Sequence, residues 1–189
     1  MRPKGLNNIA VVGAGSAGWM TALFIKQIFP TCNVTVIGSR ELGILGAGEG
    51  TVPSFKVFLD FVKIHPYEIY KHCKSTAKLG IKFVNWKGDG DAYYHSFSNK
   101  NIAFNKPKQS ERILMPMEGA YPLMSCYIGN HKSSDYDFAD QQMENFKMPF
   151  TEDEMFRVVD KSDLQAAWHF DALEITNFLQ HIGLSRGIR

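Results

Sequence analysis

The chain has 189 residues, 44% of them hydrophobic and 21% charged, which is the make-up of a folded protein and allows one large domain or one domain and part of another. A formal net charge of +2, with Lys and Arg interspersed among acids, excludes a concentrated nucleic-acid footprint or polybasic membrane patch, so small molecules or proteins are the expected partners. No apolar run approaches the roughly 20 residues that cross a bilayer. MRPKGLNN leads into a strand rather than a signal peptide, and Cys32, Cys73 and Cys126 form neither a CxxC pair nor a disulfide framework, so a cytoplasmic setting is expected and no metal site.

Ile9 to Val12 is a short apolar run ending at glycine, and Ser16 to Phe29 has apolar residues at helical spacing until Pro30 stops it. Asn33 to Ile37 alternates and is β-branched. Together these make a βαβ unit with a parallel, buried sheet. GAGEGTVPSF, residues 46–55, places four small residues, Gly46, Ala47, Gly48 and Gly50, around Glu49, so the backbone can run close to a ligand; a flexible turn is the plain alternative. Val52 to Val62 and Pro66 to Cys73 read as helices. IKFVNW and AYYHSF, on either side of KGDGD, read as an aromatic-rich hairpin. Residues 99–150, with Pro107, Pro116, Pro122 and Pro149, read as long irregular connections. Ser162 to Ile182 reads as one amphipathic helix capped by Ser162, its stripe formed by Leu164, Ala167, Trp168, Ala172, Ile175, Phe178 and Leu179. The chain then ends where an α/β sheet takes its next strand, which suggests the N-terminal part of a longer protein.

Gly13, Gly15 and Gly18 form G-x-G-x-x-G, written GAGSAG, between a strand and a helix. In that setting the first glycine permits the tight turn, the second lets the backbone approach a pyrophosphate, and the third lets helix pack on strand, so Gly13, Ala14, Gly15, Ser16, Ala17 and Gly18 are candidate cofactor-binding residues. The acid that normally holds the ribose at the end of the second strand would fall near position 38, which is Gly38. Ser39, Arg40, a backbone group or Glu41 must serve instead, and the fingerprint alone leaves NADP open. His169 and Asp171 suggest metal ligands at first sight, yet two residues apart on a helix they face different ways; packing or capping fits better.

GAGSAGWMTA at 13–22, GEGTVPS at 48–54, AKLGIKFVNW at 77–86, YHSF at 94–97 and WHFDA at 168–172 occur in the order found in flavin-dependent tryptophan halogenases, which this sequence resembles. The resemblance implies an α/β, Rossmann-like FAD-binding domain over 1–189, with residues 81–150 an inserted hairpin and irregular region on the substrate side. It implies that Gly48, Glu49 and Gly50 belong to a strap against the flavin, although an ion pair accounts for Glu49 equally well. Lys78 is similar to the family's lysine that presents electrophilic halogen, derived from reduced flavin, oxygen and halide, to an aromatic ring; Lys82, four residues on, is its competitor. A lysine desolvated in an apolar pocket would suit the task. His95 and Phe97 match positions lining the aromatic-substrate pocket, and a strand facing a core explains them as well. A separate flavin reductase is implied; the substrate is a tryptophan-like, indole-like or phenolic aromatic, and homo-oligomerisation is left open. The family's W-x-W-x-I-P motif is absent, the tryptophans being Trp19, Trp86 and Trp168, and its catalytic glutamate belongs to later segments. A flavin monooxygenase or NAD(P)-linked oxidoreductase of the same fold, and a non-catalytic nucleotide-binding fragment, are the rival readings.

Overall fold

The computed structural model describes residues 7–39, 41, 43, 46–97, 138–148 and 166–189. Arg40, Ser162, Leu164 and the proline-bearing stretch from 98 to 137 lie outside them. The chain divides into two compact units, one of Met1–Thr76 with Trp168–Arg189, the other of Ala77–Ala167.

In the first unit, β1 (Asn8–Val12), α1 (Ser16–Ile28) and β2 (Asn33–Ile37) make the anticipated βαβ unit. β1 and β2 are parallel, in register from Asn8↔Asn33 to Val12↔Ile37. The N–H and C=O groups of Asn33 and Ile37 face β1, so those of Val34 and Val36 face the opposite edge. There the Arg189 N–H donates to the Val34 carbonyl at 3.0 Å and the Val36 N–H donates to the Arg189 carbonyl at 2.6 Å, a parallel pairing that places β2 between β1 and Arg189. The sheet is less buried than its sequence suggests: Val34 is fully covered, but Val12 is 84% and Ile37 52% exposed. Both lie at the C-terminal ends of their strands, the edge where α/β sheets receive ligands.

The helices that close the core are α1, α2 (Ser54–Phe61), α3 (Tyr67–His72) and α5 (Ala172–Ser185). Trp19 and Leu23 of α1, Leu59 of α2, Ile69 of α3 and Ile175 and Leu179 of α5 are buried. α1 and α5 approach closely because Gly183 has no side chain: a Cβ there would sit 2.8 Å from Cζ3 of Trp19. Arg186, just past α5, donates to the Val62 and Lys63 carbonyls at the end of α2, supplying partners that a helix C-terminus lacks.

In this unit two elements differ from the sequence reading. Residues 167–171 are not helical: β7 (Ala167–Asp171) is a strand whose Trp168 and Phe170 are buried and whose His169 is exposed, and α5 begins only at Ala172. The cap is Asp171, whose carboxylate accepts the Leu173 and Glu174 N–H groups at 2.8 and 3.1 Å. The capping reading of Asp171 therefore holds, while its placement inside a helix does not. The second difference is the glycine-rich segment, where β3 (Gly48–Gly50) is a short strand antiparallel to β7, pairing Gly48↔Asp171, Glu49↔Phe170 and Gly50↔His169. Phe55 of α2 then packs on Trp168 and Phe170, with ring centroids 5.7 Å away in each case.

β4 (Thr76–Lys78) spans the division between the units. In the second unit, β5 (Gly80–Val84) and β6 (Ala92–Ser96) form the expected antiparallel hairpin, from Gly80↔Ser96 to Val84↔Ala92. Its turn uses positive φ at Asn85, Gly88 and Gly90. α4 (Phe138–Glu144) belongs to this unit and lies in the region read as irregular.

Candidate cofactor and catalytic sites

The fingerprint turn of the first unit has the geometry its spacing requires. Gly13 has φ +115°, which side chains rarely adopt, and its N–H donates to the Ile37 carbonyl at 2.8 Å, fixing the turn to the end of β2. A Cβ on Gly18 would fall 1.8 Å from the Gly13 carbonyl oxygen, so helix and strand touch only because Gly18 is glycine. Around Gly15 the space is open: nothing lies within 4 Å of where its Cβ would be. Gly15 is also the N-cap of α1 and supplies no side-chain cap, and the first turn has no acid, so its N–H groups are left for an anion.

β3 comes to this helix start. Ser16, the first residue of α1, donates its hydroxyl to Oε1 of Glu49 at 3.2 Å. Gly48, Glu49 and Gly50 are all exposed on the same unit. The structure thus brings the fingerprint and the glycine-rich segment together. These open backbone groups fit a dinucleotide pyrophosphate at α1, with β3 close by.

In the second unit, Lys78 meets Phe97. Its Nζ lies 5.6 Å from the centre of the Phe97 ring, a cation–π placement, and both residues are half-buried. The turn of the chain is fixed beside them by the Phe97 N–H donating to the Leu79 carbonyl at 2.7 Å. His95, two residues earlier on β6, is exposed. Lys82 has different company: its Nζ is 3.2 Å from Oε2 of Glu144 and 5.0 Å from the centre of the Tyr94 ring. The hydrogen bonds it donates to Tyr94 and Glu144 hold its ammonium above the usual lysine range. Among the described residues Lys78 has no ion pair.

No group of three or more metal-ligating side chains occurs among the described residues, nor a helix long and apolar enough to cross a membrane. A family model described as tryptophan halogenase matches residues 8–189. The chain belongs to the tryptophan halogenase family.

Among curated relatives, 7-chloro-L-tryptophan 6-halogenase KtzR of Kutzneria sp. (strain 744) is 26% identical over 200 residues, covering 95% of this chain and 36% of that protein. Tryptophan 7-halogenase RebH of Lentzea aerocolonigenes is 26% identical over 208 residues, covering 97% and 35%. The fold is that of Xcc4156, a flavin-dependent halogenase from Xanthomonas campestris, with a TM-score of 0.73, 22% identity and coverage of 97% of this chain and 34% of that one. The present chain therefore spans about a third of the length of the relatives it matches. Ser39 is exposed just past β2, its oxygen accepting the Glu41 N–H at 3.2 Å. Sequence reasoning missed the side-chain link between Ser16 and Glu49, for which only the capless start of α1 offered a hint.

Proposed function

We propose that the protein to which this chain belongs is an FAD-dependent halogenase acting on an electron-rich aromatic substrate. Gly13, Ala14, Gly15, Ser16, Ala17 and Gly18 hold the pyrophosphate on the backbone N–H groups of α1, Ser39 and Arg40 follow at the adenosine side, and Gly48, Glu49 and Gly50 run against the flavin. When bound, reduced FAD supplies the two electrons that convert oxygen and a halide ion into hypohalous acid and water. Lys78 directs that acid: its ammonium donates a hydrogen bond to the hypohalous oxygen, a ring carbon of the substrate takes the halogen, the ring proton is lost and the oxygen leaves as water. Phe97 holds the lysine side chain through its ring face, and His95 lies beside the substrate. A separate flavin reductase supplies the reduced cofactor.

The observation that carries this reading is the contrast between the two lysines. Lys82 is tied to Glu144 and Tyr94, whereas Lys78 rests on an aromatic ring with its ammonium unpaired among the described residues. The test uses the full-length protein with a flavin reductase, halide and an indole or phenol panel. Lys78→Ala should abolish halogenated product with FAD retained, and Lys82→Ala should keep it. Halogenation by Lys78→Ala would remove the lysine from the mechanism, and a product gaining oxygen instead of halogen would make the protein a monooxygenase.

A further inference from the structure

The ribose end of the nucleotide site departs from the ordinary pattern, and the reason is steric. An acid at the end of the second strand normally accepts a hydrogen bond from the ribose 2′-hydroxyl. In this chain that position is Gly38, and a Cβ built there would lie 2.3 Å from the Ala14 Cβ and 3.2 Å from the Ala14 nitrogen. The fingerprint turn itself carries Ala14 into that space, because the Gly13 N–H is bonded to the Ile37 carbonyl one residue before Gly38. No side chain fits at position 38 while Ala14 stands opposite. The recognition of the ribose has to come from elsewhere.

We infer that Glu41 takes over this role and accepts the hydrogen bond of the adenosine 2′-hydroxyl, so that the acid is displaced three residues along the chain. Ser39 makes this workable: its Oγ accepts the Glu41 N–H at 3.2 Å, which holds Glu41 close to the end of β2. Glu41 is exposed, and among the described residues its carboxylate has no hydrogen-bond or ion-pair partner. A carboxylate at this place also repels a 2′-phosphate, which selects FAD-type adenosine over an NADP-type one. The inference rests on the flavin reading proposed above.

Its test is a binding measurement rather than a rate. In the full-length protein, bound FAD is displaced by ADP and by 2′-deoxy-ADP, followed by flavin fluorescence. The wild type should prefer ADP by about tenfold, the scale of a hydrogen bond to a charged acceptor. Glu41→Ala should lose that preference while its melting midpoint stays unchanged, since the side chain is exposed. A Glu41→Ala protein that keeps the preference, or a wild type that shows none, overturns the assignment of Glu41 alone. A wild type that holds no FAD overturns the assignment and the flavin reading together.

Discussion

The hydroxyl of Ser16 donates to the Glu49 carboxylate at 3.2 Å across 33 residues, joining the first turn of α1 to β3. The pair is exposed, so it contributes little to global stability, but it ties β3 to the first turn of α1, where the pyrophosphate is proposed to sit. Ser16→Ala should leave the melting midpoint nearly unchanged and release FAD severalfold faster, read as the off-rate of bound flavin. An equal off-rate in variant and wild type would show that β3 is held by β7 alone.

Two glycines of the same fingerprint should fail in different ways. A Cβ at Gly18 meets backbone, not a movable side chain, so Gly18→Ala should cost about 1–3 kcal/mol or more in chemical denaturation. At Gly15 the space is open, so Gly15→Ala should denature like the wild type while weakening FAD binding at least tenfold. Denaturation and flavin titration of both variants separate structural from ligand-facing glycine.

Asp171 caps α5 with two accepted hydrogen bonds, and Asp171→Ala should cost about 1 kcal/mol, seen as a lower denaturation midpoint at constant slope. Asp171→Asn, which keeps an accepting oxygen, should recover most of the loss.

Cys73 is fully buried, and burial together with the nearby Glu174 charge pushes its thiol up to about 12 from 9.0. The folded-state value is raised, so the thiol form stabilises the fold fully below pH 9, and that contribution is lost as pH climbs towards 12. A thiol-directed reagent at pH 8 should leave Cys73 unmodified in the native protein and label it after denaturation, which peptide mass mapping reads directly.

The βαβ unit was legible because three independent signals coincide: a glycine spacing, a 3.6-residue apolar period ended by Pro30, and an alternating β-branched run. The segment around Gly48 to Gly50 was not legible as a strand, since Gly-Glu-Gly has no strand preference and becomes one only by pairing with His169 to Asp171, about 120 residues away. Trp168, Ala172, Ile175 and Leu179 fit a helical stripe, which drew β7 into the helix. The sequence does hold the correcting signal: Trp168 and Phe170 alternate with His169, and Asp171 stands three residues before Glu174 in a capping-box spacing. The different surroundings of Lys78 and Lys82 could not be read from spacing, because Glu144, which pairs with Lys82, is 62 residues distant in the chain.

The Asp171 N–H donates to the Cys73 carbonyl at 3.4 Å, so the polypeptide leaves the first unit and returns to it through neighbouring stretches. Ala77–Ala167, the second unit, is inserted in the chain between two stretches of the first, much as a guest domain is grafted into a host loop. Additions and deletions in that excursion therefore change the closure entropy only slowly with length and leave the host's strands and helices in register. A chain wired this way can vary its inserted unit while the βαβ unit that carries the glycine fingerprint stays as it is.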